Sequence, residues 1–144
     1  MKIISLNGRS NCGKSHTLLM LCDKIASKFT ILHEEKVGED RRMTFDLDGV
    51  VVSVCTGGDN AKVIEENCAY FDSWECDIAV TANRSKANPT WYLQDYANRN
   101  NSSLNEILMP YAAFLGRTTG MIKVEKLVAE HFYEMVLSFA NQQR

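Results

Sequence analysis

Residues 8–15 constrain the fold of this 144-residue chain more than any other stretch, because they match the phosphate-binding pattern G-x-x-x-x-G-K-S/T at every fixed position. A loop that wraps a chain of phosphates must turn sharply and aim several backbone N–H groups inward, which the glycines at 8 and 13 permit. In such a loop Lys14 reaches the β- and γ-phosphates, and Ser15 offers its hydroxyl to Mg²⁺. The pattern therefore predicts a site for a nucleoside triphosphate.

The elements that flank this loop have the order that a phosphate site needs. Lys2 to Leu6 reads as a short apolar strand, and apolar residues recur at helical spacing from Ser15 onward. A helix that begins at the loop adds the partial positive charge of its N-terminus to the site. We therefore expect nucleotide contacts from nine consecutive residues: Gly8, Arg9, Ser10, Asn11, Cys12, Gly13, Lys14, Ser15 and His16.

The next part of the chain is rich in strand signals. Phe29 to His33 reads as a second strand, and the charged stretch from Glu34 to Arg42 reads as an exposed loop. Asp48-Gly49 separates two β-rich runs, which is the strongest short signal for a hairpin. We expect the two hairpin strands over Met43 to Leu47 and Val50 to Val54.

Helices and strands alternate in the second half of the chain. A helix capped by Asp59 or Asn60 is followed by a strand over Cys76 to Ala82 and by a helix from Asn88-Pro89. Ile107 to Phe114 is a candidate last strand, and its proline favours an edge position. The final helix runs from Ile122 and carries His131 on its apolar stripe, as a core histidine.

This alternation and the chain length predict one domain spanning residues 1–144. The fold class we expect is α/β: a three-layer α/β/α sandwich with a mainly parallel sheet and one antiparallel hairpin. The loop at residues 8–15 would lie at the carboxyl edge of the strands, where such folds bind ligands.

Phosphoryl transfer needs further groups beside Lys14. A carboxylate normally helps the Ser15 hydroxyl to hold the metal. Asp59 is the best candidate because it follows the Val50 to Val54 strand. The alternative is that Asp59 only caps the next helix. Arg84 follows a strand at the same edge and would neutralise charge in the transition state. Weaker candidates are Thr81, Asn83, Lys86 and Arg117, the loop arginines Arg41 and Arg42, and the possible general bases Glu34 and Glu35.

Composition excludes several other classes of function. The formal net charge is -2 and no dense Lys/Arg run occurs, so nothing indicates a nucleic-acid partner. No apolar stretch approaches the ~20 residues that a membrane span needs, which favours a cytoplasmic protein. The five cysteines form no C-x-x-C pair and predict reduced thiols.

The run Gly8 to Ser15 resembles the phosphate loop of the P-loop NTPase superfamily, and its wording G-R-S-N-x-G-K-S is similar to that of small ribosome-associated bacterial GTPases. Where those GTPases have D-x-x-G, this chain has Thr56-Gly57-Gly58-Asp59, and it has no N-K-x-D motif. Small-molecule kinases of the superfamily usually carry a glycine where Asn11 stands. The resemblance implies ATP or GTP with Mg²⁺ as cofactors.

Three functions are consistent with these residues. The leading one is a Mg²⁺-dependent P-loop protein that binds and hydrolyses ATP, with Lys14, Asp59 and Arg84 at the reacting phosphate. The second is a phosphotransferase in which Glu34 or Glu35 activates the hydroxyl of a small-molecule acceptor. The third is a non-catalytic or GTPase-like switch, in which the loop from Glu34 to Arg42 orders around the γ-phosphate and recruits a protein partner.

Overall fold

The computed structural model describes residues 1–9, 12–84, 88–110 and 119–143, and only the backbone of residues 88–90. The strands are β1 (Lys2–Gly8), β2 (Thr30–Val37), β3 (Asp40–Leu47), β4 (Val50–Cys55), β5 (Ile78–Arg84) and β6 (Ser103–Leu108). The helices are α1 (Lys14–Ala26), α2 (Ala61–Trp74), α3 (Asn88–Arg99) and α4 (Thr119–Gln143).

The six strands form one sheet in the order β2-β3-β4-β5-β1-β6. Strands β4, β5, β1 and β6 are parallel neighbours, whereas β3 pairs antiparallel with both β2 and β4. The first strand of the chain therefore lies between β5 and β6 and does not contact β4, although both end at the same edge of the sheet.

The expected three-layer sandwich with a mainly parallel sheet and one antiparallel hairpin is wrong. The sheet is mixed: two of its five pairings are antiparallel, and β2, β3 and β4 form an antiparallel meander. The error arises from the stretch Glu34 to Arg42, which the charge pattern assigned to an exposed loop. Its residues complete β2 and begin β3, and only Gly38 and Glu39 lie between the two strands.

Local signals explain where several elements turn or begin. Asp48 and Gly49 adopt φ angles of 53° and 98°, which is the left-handed backbone that a two-residue hairpin requires, and this confirms the predicted Asp48-Gly49 turn. Asn60 caps α2, because its Oδ1 accepts a hydrogen bond from the Val63 N–H at 3.0 Å. Asp59 is therefore not the cap of this helix.

Two hydrophobic clusters hold the helices to the sheet. Successive residues of β1 point to opposite faces, so that Ile4 joins one cluster and Ile3 the other. The α1–α4 cluster contains, among others, Leu6, Leu18, Leu21, Phe45, Phe132 and Val136. The α2–α3 cluster contains, among others, Cys55, Cys68, Phe71, Cys76, Leu93 and Tyr96.

The remaining elements lie near their predicted positions. Strand β5 is shifted toward the C-terminus and ends at Arg84. Strand β6 occupies an edge as expected, but it begins at Ser103 and ends at Leu108, so the predicted span from Ile107 is wrong at both described ends; its residues from 111 onward lie outside the described residues. Helix α4 begins before Ile122, and His131 is exposed, so its prediction as a core histidine is wrong. None of the helices that the described residues form is long and apolar enough to cross a membrane.

Candidate functional site

A cavity of about 370 Å³ opens where residues 13–16 face the meander. The cavity lies at the end of the sheet where the parallel strands have their carboxyl ends. Strand β2 runs in the same direction as β4, so the short β2–β3 turn lies at this end as well. The cavity falls in the size range of ligand pockets. Its described lining consists of Gly13, Lys14, Ser15, His16, Leu19, Glu39, Asp40, Asp59 and Met121.

Gly13 begins helix α1 in a conformation that only glycine adopts without strain. Its φ angle is 94°, and a Cβ at this position would lie 2.6 Å from Oε2 of Glu125. Glu125 is a fully buried residue of α4, so the C-terminal helix packs directly against the glycine that precedes α1. At the other end of the loop, Gly8 leaves room for the half-buried Cys12, whose Sγ would lie 2.7 Å from a Cβ there.

Lys14 points back over its own loop, although it is charged and only 5% of its side chain is exposed. Its Nζ donates hydrogen bonds to the backbone carbonyls of Gly8 at 2.8 Å and Arg9 at 2.7 Å. The third contact of the ammonium is Asp59 Oδ1 at 3.7 Å, from a side chain that is 63% exposed. The Lys14 ammonium is therefore held at the cavity wall, and its counter-ion Asp59 is exposed to solvent.

Ser15 is connected to the meander through the buried residue Thr56. The Ser15 hydroxyl donates to the Thr56 carbonyl at 3.1 Å. The Thr56 hydroxyl accepts a hydrogen bond from the Arg41 N–H at 2.9 Å, so its own proton goes to Asp40 Oδ1 at 3.0 Å. Because the Ser15 proton is already donated, the oxygen of this hydroxyl offers lone pairs to a cation.

The segment that follows β4 is pressed closely onto its neighbours. A Cβ at Gly58 would overlap the Ala82 carbonyl oxygen, so only glycine fits between β4 and the end of β5. The buried amide of Asn67 donates to the Gly57 carbonyl at 2.9 Å and to Thr81 Oγ1 at 3.2 Å. These contacts fix the backbone from which Asp59 extends.

The structure distributes the other predicted residues unevenly. Arg84 lies opposite Gly8 in the β1–β5 register. Its side chain is exposed and is not among the described residues that line the cavity. Arg9 and His16 are exposed at the loop. Asn83 is buried beside Asn7, and its Oδ1 accepts from the Arg84 N–H. Outside the described residues are the predicted site residues Ser10, Asn11, Lys86 and Arg117.

The charged residues that were assigned to a loop between Glu34 and Arg42 lie on strands and form ion pairs there. Glu34 pairs with Arg41 at 3.2 Å, and Glu35 lies 4.0 Å from Arg42. Arg42 is 11% exposed and contacts Glu66 at 3.2 Å and Asn67 Oδ1 at 3.1 Å. The expectation that the two arginines belong to a mobile loop is therefore wrong.

Sequence reasoning missed three acidic residues at the site, namely Glu39, Asp40 and Glu125. The signal for Asp40 was present in the hairpin: counting back from the Asp48-Gly49 turn pairs Leu47 with Val50 and Arg42 with Cys55, which brings Asp40 beside Gly57. Glu125 gave no such signal, because its contact with Gly13 depends on how α4 returns to α1.

The described residues include no group of three or more histidine, cysteine or acidic side chains arranged to hold a metal ion by themselves. Mg²⁺ does not require one, because it usually keeps several waters and takes one or two protein ligands together with phosphate oxygens. The lone pairs of Ser15 and the nearby carboxylates of Asp40 and Asp59 fit that smaller requirement.

Comparison of the chain with known proteins found no match to a protein-family model and no match to a curated protein. The interpretation of the site therefore depends on its own residues and their geometry.

Proposed function

We propose that this chain is a Mg²⁺-dependent nucleoside triphosphatase of the P-loop type, which binds ATP through residues 8–16. The observation that carries the proposal is the placement of Lys14. Its ammonium is almost fully buried, is held by two loop carbonyls, and stands at the wall of a cavity whose size suits a ligand.

The helix behind the loop supports binding of an anion. Helix α1 is 13 residues long and begins at Gly13 without a side-chain cap, so its first N–H groups are directed to the loop. Residues Lys14, Ser15 and His16 line the cavity at this helix end. A phosphate there would combine the helix N-terminus with the Lys14 ammonium.

The surroundings of Ser15 support a metal-dependent reaction. Mg²⁺ supplies charge neutralisation on the β- and γ-phosphates when it is bound. In this chain the Ser15 oxygen would be its protein ligand, and the cavity offers two candidate carboxylates to assist it: Asp59, which the sequence predicts, and Asp40, which the structure adds. Arg84 remains the predicted source of a further positive charge at the same edge.

A phosphotransferase is the second candidate, favoured by the acidic lining of the cavity. Glu39, Asp40 and Asp59 face the loop, and a carboxylate beside the γ-phosphate can accept the proton of an acceptor hydroxyl. The predicted bases Glu34 and Glu35 instead lie along β2. The switch hypothesis required a loop from Glu34 to Arg42, and the meander replaces most of that loop with paired strands.

We also propose that the protein acts in the cytoplasm, where ATP and Mg²⁺ are available. All five cysteines are free thiols, which supports a reducing compartment.

The test is a calorimetric titration with non-hydrolysable ATP and GTP analogues in the presence of Mg²⁺. We expect the wild type to bind the ATP analogue, and Lys14→Ala to weaken this binding by about 30-fold or more, because removing a desolvated charge from a charge pair costs about 2 kcal/mol or more. Lys28→Ala, in the exposed turn after α1, is the matched control and should bind as the wild type does. Binding of the GTP analogue alone would overturn the ATP assignment, and binding of neither would overturn the proposal.

A turnover assay then separates the two candidate reactions. A hydrolase releases inorganic phosphate from ATP with water as the acceptor, whereas a phosphotransferase consumes ATP only when an acceptor is added. Phosphate release by the wild type without any added acceptor supports the leading candidate.

A further inference from the structure

Two carboxylates approach the proposed phosphate site from different elements, and their surroundings differ. Asp59 lies on the segment after β4, is largely exposed, and contacts Lys14 Nζ at 3.7 Å. Asp40 begins β3 and is half-buried, and its Oδ1 accepts the proton of the buried Thr56 hydroxyl at 3.0 Å. Sequence reasoning considered only Asp59.

We propose that these carboxylates have separate roles in the nucleotide site: Asp40 orients the water shell of Mg²⁺ beside Ser15, and Asp59 is a counter-ion of Lys14 that the γ-phosphate displaces. The inference rests on the proposed function, since it assigns residues within the same site.

The case for Asp40 begins with Thr56, which contacts both partners. The Thr56 carbonyl accepts the Ser15 proton and the Thr56 hydroxyl donates to Asp40, so one buried residue fixes the distance between the proposed Mg²⁺ ligand and this carboxylate. The second oxygen of Asp40 lies against Gly57, 2.8 Å from where a Cβ would stand. The carboxylate is thus held on two sides before any ligand arrives, which is the preorganisation that a metal-positioning group needs.

Asp40 also suits Mg²⁺ because it can contact the metal through a bound water and need not replace one. Mg²⁺ gives up its waters reluctantly and is bound through few carboxylates. Ser15 and Asp40 both hydrogen-bond to Thr56 and both line the cavity, so we assign the Asp40 carboxylate to a metal-bound water and the Ser15 oxygen to the metal itself. Asp40 is accordingly a positioning residue and does not contact the nucleotide.

The case for Asp59 as a displaceable counter-ion follows from Lys14. In a phosphate loop the lysine pairs with the β- and γ-phosphates, and in this structure Asp59 takes that place beside the ammonium. Two negative groups beside one cation repel each other, so the carboxylate must withdraw when phosphate binds. The Asp59 side chain is 63% exposed, so it can rotate into solvent while its backbone stays in place.

The experiment measures the dissociation constant of the non-hydrolysable ATP analogue with Mg²⁺ and with EDTA, for the wild type, Asp40→Asn and Asp59→Asn. Asparagine retains an acceptor oxygen for Thr56, so Asp40→Asn preserves the local hydrogen bond. Asp48→Asn, which removes the same charge at the opposite edge of the sheet in a backbone conformation that asparagine tolerates, is the control.

We expect Asp40→Asn to reduce the gain in affinity that Mg²⁺ provides by about 10- to 100-fold while leaving the affinity in EDTA unchanged. Asp59→Asn should bind about two- to fivefold more tightly in both buffers, because an exposed competing ion pair is lost. A merely structural role of Asp40 would lower both affinities together and would overturn its assignment.

The remaining outcomes are also decisive. If Asp59→Asn loses the Mg²⁺-dependent gain and Asp40→Asn keeps it, the roles are reversed and the inference is wrong. If the wild type binds the analogue but neither variant differs from Asp48→Asn, this inference fails and the proposed function stands. If the wild type does not bind the analogue in either buffer, the proposed function itself fails.

Discussion

The two hydrophobic clusters of this protein differ in chemistry as well as in position. The α1–α4 cluster consists mainly of aliphatic and phenylalanine side chains and contains one cysteine, Cys22, whereas the α2–α3 cluster contains three cysteines, Cys55, Cys68 and Cys76. Two tyrosines, Tyr70 and Tyr96, also belong to the α2–α3 cluster. The α1–α4 cluster contains one tyrosine as well, Tyr133, so the two sides of the sheet differ chiefly in the number of buried thiols.

The clusters also differ in how they reach the candidate site. Helix α1 begins at the phosphate loop, and α4 contributes Met121 to the cavity and Glu125 to the contact with Gly13. Helix α2 reaches the site through a polar residue, Asn67, which holds the backbone of Gly57. We infer that packing in the α1–α4 cluster shapes the phosphate loop, whereas the α2–α3 side acts on the segment of Asp59.

The largest expected effect comes from a matched pair of core truncations, Phe132→Ala in α4 and Phe71→Ala in α2. Both side chains are buried, so each change should lower the free energy of unfolding by about 3–5 kcal/mol through lost burial and a cavity. Only Phe132→Ala should also weaken nucleotide binding, by about tenfold, since it loosens the helix that packs on Gly13. Urea denaturation and calorimetry measure the two quantities.

Leucine variants at the same positions provide the control for loss of folding. Phe132→Leu and Phe71→Leu remove less volume and keep the comparison measurable if the alanine variants do not fold. Equal losses of nucleotide affinity at both positions would show that the two clusters are not independent, which contradicts the division between them.

The next effect concerns Asn67, the polar link between α2 and the site. Asn67→Leu leaves the Gly57 carbonyl and the Arg42 guanidinium without the partner that they have here, and should cost about 2–3 kcal/mol of unfolding free energy. Asn98→Leu on the exposed surface of α3 is the control and should change stability by less than about 0.5 kcal/mol. A loss at position 67 no larger than at position 98 would contradict the role of the buried amide.

Much of the local structure was predictable, because its causes are local. The Asp48-Gly49 turn, the Asn60 cap and the apolar runs of β1 and β4 depend on residues close in sequence. The meander was missed because charges on β2 and at the start of β3 look like a loop, although an edge strand tolerates them on its exposed face. Sheet order depends on contacts between distant segments, and no local pattern specified that β1 would lie between β5 and β6.

The same distinction holds for the site. Lys14 and Ser15, which line the cavity, could be singled out from spacing alone, because the motif at residues 8–15 is continuous in sequence. Glu125 could not, since its position against Gly13 follows from the packing of α4 on α1. Asp40 was partly predictable. Extending the register of the predicted hairpin by two residues beyond the Arg42–Cys55 pair would have placed it beside Gly57.

An effect that is confined to alkaline pH tests the chemical difference between the clusters, namely the dependence of stability on the ionisation of buried thiols. Burial raises the pKa of Cys68 from 9.0 to about 12 and that of Cys76 from 9.0 to about 11, and it also raises the pKa of Cys22 to about 12. The folded state keeps these thiols protonated at a pH where the unfolded chain has lost the protons. Their contribution to stability is therefore complete below pH 9 and declines as the pH rises toward 11.

Each such thiol should lower the free energy of unfolding by up to about 1.4 kcal/mol per pH unit in this window. Urea denaturation between pH 8.5 and 11 under reducing conditions should thus give a shallower decline for the double variant Cys68→Ala/Cys76→Ala than for Cys22→Ala, since two titrating groups are removed in place of one. Ionisation of surface lysines is common to all variants and cancels in the comparison. If Cys22→Ala flattened the decline as much as the double variant, the alkaline sensitivity would not belong to the α2–α3 cluster, and the chemical contrast between the two sides of the sheet would have no consequence for stability.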